Sequence, residues 1–400
     1  MKVLYIQPGH GMGGSHISLL HMLKCAPASQ ESFIALSYPT QDDFENLIKG
    51  HVSGIFYLEL PTWQKFIRRD VWQKIRAPFS HILRLVRLFP AAITLKKIII
   101  DEGIDLVHTN NSICPVGALA AWVAGIPHVW HIRESFGSGR QYRPILGNNI
   151  TYWLMSKWSK AIICNSSYTA EPFQEKNIPH VIIQNGIDLE NFPNREIEGK
   201  KLKSRIGIGE NNLVVGMVGN LTTELKKHDE FLEMAALLRV TVPNLTYAIF
   251  GGSADLEQTD YTQRLAQKSR ELNIADKLIW VDFIKDTGSI MASLDVLVHP
   301  ARTEGSGRVV MEAMAAGKPV VGINSGGVRE LIQDGLTGFL IQPGDIMEMT
   351  HKVKRLVEDE VLRKEIGENA RRYAQNHFSD QATMNAILAI YCDLVHHERA

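Results

Sequence analysis

The chain has 400 residues, 43 Lys+Arg balanced by 43 Asp+Glu, with 45% hydrophobic and 22% charged residues. That much apolar material supports two or three packed domains and excludes a disordered chain. Zero net charge argues against a nucleic acid as partner of the whole protein.

In chain order, residues 2–7 (KVLYIQ) predict a strand followed by a glycine-rich loop, and the opening apolar run is too short for a secretory signal. Gly9, Gly11 and Gly14 match GxGxxG, but the second predicted strand ends in Ser37-Tyr38-Pro39, without the acid that would hold a dinucleotide ribose. A loop that lets a ligand approach the backbone and a plain tight turn both remain open. Further apolar runs at 32–36, 55–60, 105–108, 129–132, 161–164 and 181–183 predict more strands. Residues 106–132 carry no Asp, Glu, Lys or Arg and could span a bilayer by length. Pro115 and Pro127 interrupt them, and His108, Asn110, Asn111, His128 and His131 would be unsatisfied in hydrocarbon, so strand, buried small-residue helix and strand are expected instead.

Residues 61–100 stand apart. Lys65, Arg68, Arg69, Lys74, Arg76, Arg84, Arg87, Lys96 and Lys97 face only Asp70, interleaved with Trp63, Phe66, Ile67, Trp72, Ile75, Phe79, Leu83, Leu85, Val86, Leu88 and Phe89. Such interleaving seats a helix on an anionic membrane surface, or marks the solvated basic face of ordinary helices.

The second half restarts with 213–218 (LVVGMV), Gly219 and a predicted helix at 228–239, with further strands at 246–250, 278–281, 296–299, 320–322 and 338–341. Short apolar runs alternating with helices predict parallel sheets covered on both faces, hence two doubly wound α/β domains. Residues 191–204 (NFPNREIEGKKLKS) are polar and predict the linker, which places the domains at 1–195 and 205–379. An amphipathic helix over 380–397, with Ala382, Met384, Ile387, Leu388, Ile390, Tyr391 and Leu394 at helical spacing, must pack on one of them.

The strongest chemical signal is 299–320 (HPARTEGSGRVVMEAMAAGKPV). A strand ends at His299, a loop carries Glu304, Gly305, Ser306 and Gly307, and a helix starting near Gly307 or Arg308 holds Glu312 just over one turn in. Carboxylates accept paired hydrogen bonds from sugar hydroxyls, and a helix N-terminus binds phosphate. The plain alternative is a loop acid and a helix-surface acid. The four cysteines form no CxxC pair, which suggests no zinc or dithiol site and suits a reducing cytosol.

The Glu-x7-Glu arrangement, EAMAAGKPVV, and the run holding Gly326, Gly327, Arg329, Glu330, Asp334, Gly335, Thr337 and Gly338 resemble the retaining glycosyltransferases of family 4, the group 1 glycosyl transferases. Asn185-Gly186-Ile187-Asp188 and Val218-Gly219-Asn220 with Lys226 are similar to that family's turn and second-domain opening. The resemblance implies a GT-B fold: two facing Rossmann-like domains, with helix 380–400 crossing back to the first. It implies Glu312 on the donor ribose, Glu304 facing the donor sugar, the Ser306, Gly307 and Arg308 amides at sugar and diphosphate, and Lys226 on the diphosphate. The Gly13-Gly14 loop would also approach the donor. Asn220 stands where the family usually has Arg, so Lys227, Arg302 or Arg308 would supply the cation, or diphosphate binding is weaker. His131 resembles the family's histidine beside the donor sugar, and Arg133 and Glu134 would line the acceptor side.

The implied function is transfer of a sugar from a UDP or GDP sugar to a glycan or lipid-linked hydroxyl, with retention and without a metal or other cofactor, in bacterial cell-surface polysaccharide synthesis. The unpaired cysteines suit the cytoplasm, and the basic stretch 61–100 suggests peripheral contact at the inner membrane face. Three rival readings remain: a nucleotide-sugar epimerase of the same fold, an NAD-dependent dehydrogenase built on Gly9–Gly14, and a non-catalytic sugar- or nucleotide-binding module of the same fold.

Overall fold

The apolar runs of the first half all form strands of one parallel sheet, because strands buried on both faces need apolar residues throughout rather than alternation. The computed structural model describes residues 1–9, 13–37, 44–65, 71–134, 136, 143–221, 224–252 and 259–399, the side chains of 71–78 and 397–399 excepted. It divides into two units, Met1–Gly186 with Asp380–Ala400, and Ile187–Ser379.

In unit 1 the strands are β1 (Lys2–Gln7), β2 (Glu31–Leu36), β3 (Gly54–Tyr57), β4 (Gln64–Lys65), β5 (Leu106–Thr109), β6 (His128–Ile132), β7 (Arg143–Pro144), β8 (Ala161–Cys164) and β9 (Val181–Ile182). The helices are α1 (Gly14–Lys24), α2 (Phe44–Ile48), α3 (Val71–Glu102), α4 (Val116–Ala124), α5 (Asn148–Trp158) and α6 (Ser167–Gln174). The seven-stranded parallel sheet runs β3-β2-β1-β5-β6-β8-β9, while β4 and β7 pair antiparallel outside it. Residues 106–132 form β5, α4 and β6, and among the described residues no helix is long and apolar enough to cross a membrane.

Unit 2 holds α7 (Glu196–Arg205), β10 (Val214–Val218), α8 (His228–Thr241), β11 (Thr246–Phe250), α9 (Asp260–Glu271), β12 (Leu278–Val281), α10 (Thr287–Ser293), β13 (Val296–His299), α11 (Arg308–Ala315), β14 (Val320–Ile323), β15 (Gly338–Ile341), α12 (Ile346–Glu358) and α13 (Glu360–His377). Its sheet runs β12-β11-β10-β13-β14-β15, parallel throughout. Numbered within each sheet, both begin 3-2-1-4-5-6, the strand order of doubly wound dinucleotide-type folds. The fold is GT-B.

The polar stretch expected as a linker is instead largely helix α7, part of unit 2. Leu202 joins the unit 2 core, and Lys203 Nζ donates to the Asn212 carbonyl at 3.0 Å and approaches Asp295 Oδ2 at 3.4 Å. One buried leucine, a glycine packed closely on Ala292 and one internal ion pair hold it, so it carries no apolar periodicity for sequence to show.

The last helix, α14 (Asp380–Arg399), packs on unit 1. Met384, Ile387 and Tyr391 are buried with Val3, Tyr5 and Leu19, and Tyr391 Oη shares a hydrogen bond of 2.6 Å with His108 Nδ1.

In the basic stretch, Trp63 is buried and stacked on Trp130 at 5.4 Å, and Leu88 is buried on α3, so neither belongs to an outward apolar face. Residues 66–70, with Phe66, Ile67, Arg68, Arg69 and Asp70, lie outside the described residues.

Candidate functional site

In unit 2 the chain leaves β10 toward one edge of the sheet and β13 toward the other, so a crevice forms at their carboxyl ends, where open α/β sheets bind ligands. Asn220 lies two residues past the end of β10, after Gly219, and is exposed. Lys226 closes a short 3-10 turn, Glu224–Lys226, ahead of α8. The loop after β13 brings Glu304 to it: Lys226 Nζ donates to Glu304 Oε2 at 2.6 Å. The buried His299, last residue of β13, places Nε2 3.7 Å from the same oxygen. Burial pushes the Glu304 carboxyl up, but the Lys226 ammonium, and then His299, outweigh it and hold the group well below the usual carboxylate range. Glu304 is therefore charged at physiological pH.

The helix after this loop starts at Arg308. Its cap is Gly307, in the left-handed region at φ 69°, which brings no capping side chain to the first-turn amides. Ser306 precedes it at the mouth of the same turn. One turn into α11, Glu312 is buried and accepts from Arg308 Nε at 2.8 Å. Burial raises its carboxyl and Arg308 opposes that rise. Arg302 pairs with Glu230 of α8, so its charge already has an internal counterpart. Burial raises the Glu230 carboxyl, against the pull of Arg302.

A second turn fixes the Glu304 loop from behind. Gly327 N donates to the Glu304 carbonyl at 2.8 Å, and Ser325 Oγ donates to the Arg302 carbonyl at 2.8 Å. A Cβ on Gly326 would stand 2.7 Å from the Glu304 carbonyl oxygen, and one on Gly327 would overlap the Gly305 carbonyl. The paired glycines are required by this backbone-on-backbone contact.

Unit 1 holds the other expected residues. Gly13 caps α1 and Gly14 begins it; among the described residues a Cβ on Gly14 would meet nothing within 4 Å. Its own packing does not demand glycine there. His10, Gly11 and Met12 lie outside the described residues. His131, on β6, is fully buried, 3.3 Å from Arg133 Nη2 through Nδ1 and edge-on to His108 at 5.3 Å. Burial, with Arg133 and His108 adding to it, lowers its pKa well below the usual histidine value, so the ring is neutral. Arg133 points inward: Nε donates to Asn110 Oδ1 at 2.7 Å and Nη1 to Asn185 Oδ1 at 2.5 Å. Glu134 Oε2 accepts from both the amide and the hydroxyl of Ser112 at 3.0 Å. The structure thus gathers Asn220, Lys226, Arg302, Glu304, Ser306, Gly307, Arg308 and Glu312 in one unit, and Gly13, Gly14, His131, Arg133 and Glu134 in the other. His299 and Glu230 were not expected in the site; the position of His299 at a strand's carboxyl end was the signal for it.

At the carboxyl ends of β2 and β3, unit 1 also has a cavity of about 500 Å³ lined by Ser37, Leu58, Thr62, Leu83, Arg84 and Arg87 among others. Arg84 Nη1 donates to the Gln64 carbonyl at 2.8 Å, and Arg87 pairs with Glu59 at 3.2 Å. Among the described residues, no group of three or more His, Cys, Asp or Glu is placed to hold a metal ion.

The profile described as glycosyl transferases group 1 matches residues 199–373, and that of Glycosyltransferase Family 4 matches residues 32–191. The chain belongs to glycosyltransferase family 4. This family 4 enzyme is a glycosyltransferase that uses a nucleotide sugar. It is similar to the UDP-Gal:alpha-D-GlcNAc-diphosphoundecaprenol alpha-1,3-galactosyltransferase of Escherichia coli, 26% identical over 78% of this chain and 81% of that one. It is 28% identical to the putative glycosyltransferase EpsD of Bacillus subtilis, over 74% of this chain and 78% of that protein. Among solved structures, Anabaena HepE in complex with UDP and glucose superposes with a TM-score of 0.80, at 23% identity, over 98% of this chain and all of that one. Family membership sets aside the epimerase and dehydrogenase readings.

Proposed function

We propose that this glycosyltransferase works with retention and without a metal, moving a sugar from a UDP or GDP sugar to a hydroxyl of a glycan or lipid-linked acceptor in bacterial cell-surface polysaccharide synthesis. The observation that carries the donor reading is the Lys226–Glu304–His299 cluster beside a glycine-capped helix at the crevice of unit 2. As the bond between the anomeric carbon and the diphosphate breaks, negative charge grows on the leaving phosphate. Lys226 and the N-terminus of α11 are pre-placed to stabilise it. The acceptor oxygen bonds to the anomeric carbon on the face that the diphosphate leaves, and its proton passes to a leaving phosphate oxygen.

Glu304 faces the sugar as a fixed carboxylate, and Glu312 takes ribose hydroxyls. Asn220, Ser306, Gly307 and Arg308 complete the donor contacts. The neutral His131 serves a sugar hydroxyl through Nε2, for which the described residues offer no hydrogen-bond partner. Arg133 acts by positioning His131 rather than by touching the acceptor. The unit 1 cavity, with leucines beside two guanidinium groups, suits the phosphate of a lipid-linked acceptor. The Escherichia coli relative is named for a diphosphoundecaprenol acceptor and a UDP sugar, which supports the same choice here.

The test is a thermal-shift panel of UDP, GDP, ADP, their sugar conjugates and NAD. A ligand at about 100 times its dissociation constant stabilises the fold by roughly 2.7 kcal/mol. A shift with UDP or GDP that Glu312→Gln weakens supports the reading. A shift with NAD alone, or with no nucleoside diphosphate, overturns it.

A further inference from the structure

Helix α3 buries one face and leaves the opposite one bare. Leu88, Ala91, Ala92, Leu95 and Ile99 pack into the unit 1 core. Turned away from them, Phe79, Ile82, Val86, Phe89, Ile93 and Ile100 are between 57% and 73% exposed. Their spacing, mostly alternating three and four residues, keeps them in one stripe about 32 Å long. Isolated exposed apolar residues need no explanation, but a continuous stripe marks a surface that something covers.

Charge decides what covers it. From 71 to 100 the helix carries Lys74, Arg76, Arg84, Arg87, Lys96 and Lys97 and no Asp or Glu. A second copy laid on the stripe would set these six bases against six more, with only Asp101 and Glu102, at the very end of each helix, to answer them. An anionic lipid surface answers both features: the apolar stripe enters the acyl boundary while Lys and Arg meet headgroups.

We infer that the outer face of α3 docks unit 1 onto an anionic membrane surface, lying on the bilayer rather than crossing it. Among the described residues no helix is fit to span a membrane. The inference narrows the basic stretch to one helix face and stands apart from the donor assignment, which concerns unit 2. It does bear on the acceptor, because Leu83, Arg84 and Arg87 of the same helix line the unit 1 cavity.

The test is flotation of the full chain with phosphatidylcholine vesicles and with vesicles also holding phosphatidylglycerol. Binding is expected only to the anionic vesicles. It should weaken by at least tenfold when ionic strength rises from about 0.1 M to about 1 M, as the Debye length shrinks from about 10 Å to about 3 Å. A Phe79→Ser, Val86→Ser, Ile93→Ser triple variant should also lose at least tenfold, while its melting temperature and its UDP or GDP shift stay as in the wild type. A Lys96→Glu, Lys97→Glu variant should lose the preference for anionic lipid. No binding at low salt, or equal binding by the serine variant, overturns the inference. So does a wild-type dimer that the serine variant converts to monomer without any vesicle binding. Failure here with an intact nucleotide shift leaves the donor reading standing, and loss of that shift alone leaves docking standing.

Discussion

The Lys226 ammonium and the Glu304 carboxylate meet at 2.6 Å across the point where β10 and β13 diverge, although 78 residues separate them. Each sets the other's charge, so the two are expected to fail differently. Glu304→Gln keeps shape and loses charge at the sugar; kcat should fall by roughly 100-fold or more, with nucleotide binding held within a few-fold. Lys226→Ala removes the cation proposed for the diphosphate, and the UDP or GDP dissociation constant should rise by tenfold or more, as for a charged hydrogen bond worth about 1.5–3 kcal/mol. Steady-state kinetics with calorimetric binding separates the two. Full transfer activity in Glu304→Gln would sink the assignment.

The same pair has a pH signature. The Glu304 carboxyl is depressed in the folded chain, so its contribution to stability is present above the unfolded value near about 4.3 and lost as pH falls below it. The gap in melting temperature between wild type and Glu304→Gln should be full at pH 7 and close progressively below about pH 4. A gap that is constant with pH contradicts the ion pair.

Glu312 behaves oppositely, because burial raises it and only Arg308 offsets that. Arg308→Met would leave a buried carboxylate uncompensated, at a cost of about 3 kcal/mol. Glu312→Gln removes the buried charge itself, so the fold should lose little, while nucleoside diphosphate affinity drops about tenfold. Urea unfolding of both variants, each with a binding isotherm, checks the contrast. Equal destabilisation by the two would show that Glu312 is structural only.

Gly327 tests the support of the site without touching a charge. A Cβ there would overlap the Gly305 carbonyl and push the loop that carries Glu304. Gly327→Ala should cost about 1–3 kcal/mol and weaken nucleotide binding together. A stable variant with normal affinity would mean that the loop adjusts freely.

Much of this was legible in the amino-acid order, for physical reasons. Strands of a parallel sheet are apolar on both faces, so runs such as 161–164 and 278–281 announce themselves and become β8 and β12 unchanged. Helix α7 did not, because its inward face is Gly199, Leu202 and Lys203 rather than an apolar stripe. The Glu304 loop was visible through local spacing. The Arg133 network was not: Asn110 and Asn185 lie 23 and 52 residues away, and hydrogen bonds between distant polar side chains leave no period. Trp63 misled in the basic stretch, since its ring is spent on Trp130 and its indole N–H on the Ser112 carbonyl.

Three histidines on neighbouring strands make the last prediction. His108 and His131 sit well below the usual histidine value, chiefly through burial, and burial holds His128 at about 3. All three are neutral in the fold and titrate near about 6.5 when unfolded. Their contribution to stability is thus present above about pH 6.5 and lost as pH falls, because unfolding then takes up protons. The melting temperature should decline between pH 7 and pH 5. His128→Gln, which has no proton to take up on unfolding, should shallow the matching slope of unfolding free energy by up to about 1.4 kcal/mol per pH unit. An unchanged slope would mean that His128 is already accessible to protons. A His131 held neutral by the same burial works as a hydrogen-bonding group and not as a cation. Activity should therefore show no ionisation of His131 between pH 6 and pH 8, and His131→Asn should retain the wild-type pH profile at a reduced rate.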